Sequence, residues 1–145
     1  MEVIAPSGSY LTPSFEHATV ADAMRPRVLT CDPATPLITV AQQMAGEHVH
    51  SIVVLGDHDG ERNAWGVVTD RDVLRAASHI EELTAAEAAG VEMLTARPGE
   101  RLEDVAERMA AHGSGHALVV DDRHGRPVGV LSTLDIAGIL AWGRA

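Results

Sequence analysis

The sequence predicts an α+β protein of two like halves, each a β-α-β-β-α repeat, with the two small sheets packed sheet to sheet. Three observations predict it. First, the chain copies itself. Thr30 and Pro33 recur as Thr95 and Pro98, and Leu37, Val40, Ala41 and Met44 recur as Leu102, Val105, Ala106 and Met109. The run His50–Val54 aligns with His116–Val120, and Gly66-Val67-Val68-Thr69 with Gly129-Val130-Leu131-Ser132. Four blocks in one order exceed coincidence. Second, each copy carries one stripe at i, i+3, i+4, i+7, the mark of an amphipathic helix. Third, each copy follows that stripe with two short apolar runs around a turn, which read as neighbouring strands. Neither copy can cover both faces of its own small sheet, so packing the two sheets together would bury the shared apolar faces.

The elements follow in order. Residues 1–17 hold Pro6, Gly8, Pro13 and several serines and read as an extended arm. The first repeat spans 18–80 and the second 81–145. A short strand at Val28–Thr30 opens the first copy, with Met93–Thr95 as its counterpart. In the helix that carries the stripe Leu37 to Met44, Thr35 is placed to cap and Pro36 suits the first turn. Ser51–Leu55 and Ala64–Val68 are strands around the turn Gly56–Gly60. After Val68 the period changes, and Val73, Leu74 and Ala77 mark a closing helix. The second copy gives strands at Ala117–Val120 and Val128–Leu131, then a helix with Ile136, Ile139 and Leu140. One extra residue ahead of His116 and a shorter turn after Val120 account for the drift between the copies.

Composition excludes several classes. Aromatic residues are only 3%, so the core must come from Val, Leu, Ile, Ala and Met, and base-stacking platforms are not available. A formal net charge of -10 repels phosphate backbones, so nucleic acid is not an expected partner. No apolar run approaches a membrane span, the start shows no signal-peptide pattern, and a cytoplasmic protein is expected. The single cysteine, Cys31, forms no internal disulfide and reads as a small buried or half-buried residue.

Other chemistry-bearing residues have plainer readings. His48, His50 and His58 lack the spacing of zinc enzymes, so no metal site is expected. Asp57-His58-Asp59-Gly60 echoes a calcium loop but lacks its closing Glu, and reads as a hairpin turn. Glu81-Glu82 and Glu103-Asp104 read as solvated helix faces. Trp142 packs the last helix or marks a dimer contact. No Ser/His/Asp, Cys/His or metal-ligand constellation falls on one element, so no catalytic residue is expected and the chain is not read as an enzyme.

The informative segments are Gly66-Val67-Val68-Thr69-Asp70-Arg71-Asp72 and Gly129-Val130-Leu131-Ser132-Thr133-Leu134-Asp135. Each is a strand ending in a hydroxyl residue, with a carboxylate three positions later at a helix start. Taken singly, Thr-x-x-Asp and Ser-x-x-Asp are capping boxes that need no ligand. Their recurrence at equivalent strand-to-helix corners also suits an anion site. There Thr69 or Ser132 could donate to a phosphate, Asp72 or Asp135 accept from a ribose diol, and Arg71 add a cation.

These two segments resemble the ligand signature of the CBS (cystathionine-β-synthase) domain family. Val20-Ala21-Asp22-Ala23-Met24, followed by Thr30-Cys31-Asp32-Pro33, resembles that family's repeat opening. The likeness covers about residues 18–143. It implies a pseudo-symmetric pair of repeats with two clefts between them, usually dimerised. The ligand expected there is AMP, ADP, ATP, S-adenosylmethionine or a relative, with no required cofactor and an unidentified regulated protein as partner. By resemblance Thr69 and Asp72 serve one cleft, and Ser132 and Asp135 the other. Thr30, Asp32 and Pro33, with Thr95 to Pro98, line the adenine end. His50 and His116 stand at matching positions and are candidate cleft residues. The second copy departs from the pattern in two places. Its opening is Glu87-Ala88-Ala89-Gly90, and Leu134 stands where the first copy has Arg71. The second cleft is therefore expected to lack a cation and to bind anionic nucleotides less well.

Overall fold

The protein is described here by a computed structural model, which covers residues 12–58, 61–90 and 93–144, without the side chains of 57, 58 and 61–63. Most of the expected arm (1–11) and the hairpin tip Asp59-Gly60 lie outside the described residues. The elements run α1 (Val20–Ala23), β1 (Thr30–Cys31), α2 (Leu37–Glu47), β2 (Ser51–His58), β3 (Glu61–Thr69), α3 (Asp70–Arg75), a 3-10 turn (Ala77–His79), α4 (Ala85–Ala88), β4 (Thr95–Ala96), α5 (Leu102–His112), β5 (His116–Val120), β6 (Pro127–Ser132) and α6 (Thr133–Trp142). The class is α+β, with β-α-β-β-α in each copy.

The chain divides into two compact units, and they interleave along the sequence. One is residues 28–93; the other joins the residues up to 27 with those from 94 onward. In the first unit the sheet order is β1-β2-β3, with β1 parallel and β3 antiparallel to β2. Its core is Leu37, Val40 and Met44 from α2, Ile52 and Val54 from β2, Val68 from β3 and Ala85 from α4. The other unit repeats this as β4-β5-β6. Its core is Ala18, Val20, Ala96, Leu102, Val105, Met109, Ala117, Val119, Leu131 and Ile139. Thus α1, which precedes β1, packs with α5 and α6, whereas α4, which precedes β4, packs with α2 and β3.

These two short helices do the same job. Thr19 and Asp22 form a capping box on α1, and Thr84 and Glu87 form one on α4. Val20 N donates to Glu100 O and Ala21 N to Pro98 O; Ala85 N donates to Thr35 O and Ala86 N to Pro33 O. The second opening, Glu87-Ala88-Ala89-Gly90, departs from the first in sequence only. A Glu carboxylate reaches back to the cap as well as an Asp does.

After each helix the chain crosses a strand closely. Residues 25 and 90 exchange backbone hydrogen bonds with Val130 and Val67, respectively. A Cβ on Gly129 would lie 2.7 Å from Arg25 O, and one on Gly66 2.9 Å from Gly90 O. Close approach therefore explains the glycine that opens each signature segment.

Several expectations need correction. Thr35 does not cap α2. The cap residue is Pro36, with no side-chain bond, and Thr35 Oγ1 accepts from Asp32 N instead, closing the preceding turn. β2 and β3 run on to His58 and from Glu61, so the hairpin is longer than the apolar runs indicate. The closing helix of the first copy ends at Arg75, with Ala77 in the 3-10 turn, and Leu74 is 74% exposed. Leu140 is also exposed.

The drift between copies is confined to the hairpin turn. Ser51 pairs with Thr69 and His116 with Ser132. Ser51, not His50, is therefore the partner of His116, and no extra residue precedes it. The true equivalent of His50 is Gly115: His50 O accepts from Asp70 N, and Gly115 O from Thr133 N. Consecutive apolar residues hide a one-place slip that strand register resolves.

Candidate functional site

Each candidate site is a corner where the last strand of a copy turns into its closing helix. Thr69 caps α3 and Ser132 caps α6, both in extended backbone. Thr69 N and Oγ1 both donate to Asp72 Oδ2, at 2.9 and 3.0 Å, and Asp72 N returns a bond to Thr69 Oγ1 at 3.3 Å. Ser132 N and Oγ both donate to Asp135 Oδ2, at 2.9 and 3.0 Å, and Asp135 N returns one at 3.3 Å. The capping boxes are complete and nearly superposable in their distances. Each hydroxyl proton is directed at its own carboxylate, so neither points outward to donate to a phosphate without first turning.

The second carboxylate oxygen is where the corners differ. Asp72 Oδ1 accepts from Arg75 Nη1 at 3.2 Å, within α3. Asp135 Oδ1 accepts from Arg25 Nε at 3.3 Å. Both carboxyls are mostly covered, at 13% and 10% exposure. The second corner therefore has a cation beside it, contrary to the expectation drawn from Leu134. The sequence could not show this, because Arg25 lies far from Asp135 along the chain. Arg71 is exposed, and its guanidinium makes no ion pair among the described residues. Its backbone N donates to Asp70 Oδ1. Leu134 is 62% exposed.

The other predicted residues fall in β1 or β4, on the turn that follows, or beside the corner. Thr30 and Thr95 are exposed residues in β1 and β4. Asp32 is exposed, with its N bonded to Thr35 Oγ1. The carbonyls of Pro33 and Pro98 already accept from α4 and α1, so an adenine ring would find them partly engaged. At this turn the second copy replaces Thr35 with Glu100. Its Oε2 accepts from Arg97 N at 2.8 Å, and its carboxylate takes two bonds from Arg108. The Arg108 hydrogen bond holds the Glu100 carboxyl below its ordinary range, against a smaller opposing effect of burial.

His50 Nδ1 lies 2.9 Å from Asp70 Oδ2 at the first corner. His116 is half-buried in β5, with its N bonded to Ser114 Oγ. They occupy different backbone positions and do not form a matched pair. Burial raises the Cys31 thiol pKa, partly offset by a hydrogen bond with Thr35. Among the described residues no three His, Cys, Asp or Glu side chains group to hold a metal ion. Likewise, none of the described helices is long and apolar enough to cross a membrane.

The CBS domain model matches the chain twice, over residues 20–79 and 86–141. The chain belongs to the CBS-domain family. No curated protein matches it. Among solved structures, an uncharacterized conserved protein from Pyrococcus horikoshii is 25% identical, with a TM-score of 0.73 over 84% of this chain and 91% of that one. The CBS domain pair of protein MJ0100, in complex with 5′-methylthioadenosine and S-adenosyl-L-methionine, is 21% identical, with a TM-score of 0.76 over 86% and 96%. A CBS domain protein from Pyrobaculum aerophilum complexed with AMP is 24% identical, with a TM-score of 0.72 over 86% and 98%. The last two likenesses concern the fold. The CBS pair is thus a tandem of like units, each carrying one hydroxyl–carboxylate corner.

Proposed function

We propose that this CBS pair is a regulatory module that binds an adenine nucleotide or other adenosyl ligand at the Thr69–Asp72 and Ser132–Asp135 corners, performs no chemistry, and signals to a partner protein. The observation that carries the reading is the duplication of one hydroxyl–carboxylate corner with matching distances in a chain of this family. Structures of the same fold hold AMP, 5′-methylthioadenosine and S-adenosyl-L-methionine, which makes the adenosyl group the natural ligand class. Asp72 and Asp135 are fixed by their caps and keep acceptor capacity for a ribose diol. Arg71 is an uncommitted cation one residue before Asp72. Binding would regulate by favouring one of two conformations, as differential affinity requires. A homodimer fits this reading, because Leu74, Leu134 and Leu140 leave apolar surface exposed on the closing helices.

A second reading, a ligand-free dimerisation module, is favoured by the completeness of the two capping boxes, which leave no orphaned group asking for a ligand. Thermal unfolding with AMP, ATP, 5′-methylthioadenosine and S-adenosylmethionine decides between them. A ligand at about 100 times its Kd stabilises the folded state by about 2.7 kcal/mol. A melting temperature that none of the four raises supports the ligand-free module instead.

A further inference from the structure

Positions 25 and 90 are equivalent in backbone, each exchanging two hydrogen bonds with a strand residue, yet one carries a guanidinium and the other no side chain. The helix that holds Asp135 offers no cation of its own, since α6 reads TLDIAGILAW. Arg25 reaches it from elsewhere in the same unit, with Nε 3.3 Å from Asp135 Oδ1. The two partners differ in freedom. Asp135 is 10% exposed and held by its capping box, while the Arg25 side chain is 53% exposed on a backbone fixed at Val130. The guanidinium can therefore turn on its stem without leaving the neighbourhood of the corner.

Resting on the proposed adenosyl-binding function, we propose that Arg25 is the anion-selecting residue of the Ser132–Asp135 corner. A ribose hydroxyl that takes Asp135 Oδ1 displaces the guanidinium, which turns to the phosphate at the 5′ position of the ligand. A phosphate-bearing nucleoside replaces the lost ion pair with a charge-assisted hydrogen bond. An uncharged nucleoside offers no such replacement and must compete with Arg25 for Asp135. The first corner has no counterpart at Gly90; there Arg71 and Arg75 stand on α3 itself. Selection between charged and uncharged ligands is thus set at the two corners by residues from different parts of the fold.

The test isolates the second corner with Asp72→Asn and titrates AMP and adenosine, the same nucleoside without the phosphate, by calorimetry. Arg25→Gln in that background should weaken AMP about tenfold, the scale of one hydrogen bond to a charged group. It should leave adenosine unchanged or bind it more tightly, because Asp135 loses its competitor. Arg25→Lys should keep most of the AMP affinity. An equal loss for both ligands, which a merely structural role gives, overturns the proposal, as does unchanged AMP binding. If wild-type protein binds AMP but the Asp72→Asn background binds neither probe, the second corner is not a site: this proposal fails, and the adenosyl-binding function stands for the Thr69–Asp72 corner alone. If wild-type protein binds no adenosyl ligand, the proposed function fails with it. A melting temperature only slightly lowered in Arg25→Gln, expected because the arginine is half exposed and the capping box still holds Asp135, checks that the variant folds.

Discussion

Val20→Ala should destabilise the second copy's core although Val20 lies at the start of the first copy in sequence. Val20 is fully buried and belongs to the cluster of Leu102, Val105, Met109, Leu131 and Ile139. The substitution removes two methyl groups, each worth about 0.8 kcal/mol in transfer. The cavity left among close-packed neighbours adds to this, for a total of about 2–3 kcal/mol. For a chain of this size that lowers the melting temperature by roughly 5–10 °C. Urea unfolding measures the loss, and double-mutant cycles locate it. Combined with Val105→Ala, the effect should be non-additive by more than about 0.5 kcal/mol, because the two residues share one core. Combined with Val54→Ala of the other cluster, it should add to within about 0.5 kcal/mol. A loss below about 0.5 kcal/mol, or coupling to Val54 rather than Val105, would refute the assignment of α1 to the second core.

Two further outcomes follow from differences between the copies. His48 ends α2 in the left-handed region at φ 55°, where the second copy has Gly113 at φ 61°. His48→Gly should therefore stabilise by up to about 1 kcal/mol in chemical unfolding and Gly113→Ala destabilise by a similar amount, since only glycine adopts that conformation without steric cost. The Glu100–Arg108 pair predicts an acid dependence. The folded pKa of Glu100 is lowered from 4.5, so its contribution is complete above the unfolded value and is lost as pH falls through the folded one. Stability measured from pH 7 to pH 2 should fall less in Glu100→Gln than in wild type, and parallel curves would remove Glu100 from that dependence.

The sequence was most legible where a pattern is periodic or repeated. The stripe from Leu37 to Met44 marks α2, and its copy marks α5, because burial selects one face of each helix. The hydroxyl–carboxylate corners were legible as motifs, and the structure closes both boxes. Three things were not legible. Register within an all-apolar strand is invisible to pattern, so His50 aligned with His116 when its backbone equivalent is Gly115. The interleaving of α1 and α4 depends on hydrogen bonds to the carbonyls of Pro98 and Glu100 and of Pro33 and Thr35, groups every residue has. Arg25 carries no motif at all, and only folding brings it to Asp135.

If the corners bind a ligand as proposed, the differences between the copies mark where its preference can change. Thr69, Asp72, Ser132 and Asp135 each serve the fold, since their capping boxes start the closing helices and a lost cap costs about 1 kcal/mol. Any substitution there that alters a ligand contact also weakens a helix. Gly66 and Gly129 are equally constrained, because a Cβ would meet the backbone crossing beside them. Residues 25, 71, 75 and 134 are exposed and carry no such duty. They differ between the copies: Arg25 against Gly90, and Arg71 against Leu134. Divergence between the two corners has therefore gone into the rim of each corner, while the hydroxyl–carboxylate pairs stay fixed. A change of ligand class in such a chain is expected first at the rim arginines, where charge can be added or removed without disturbing a cap.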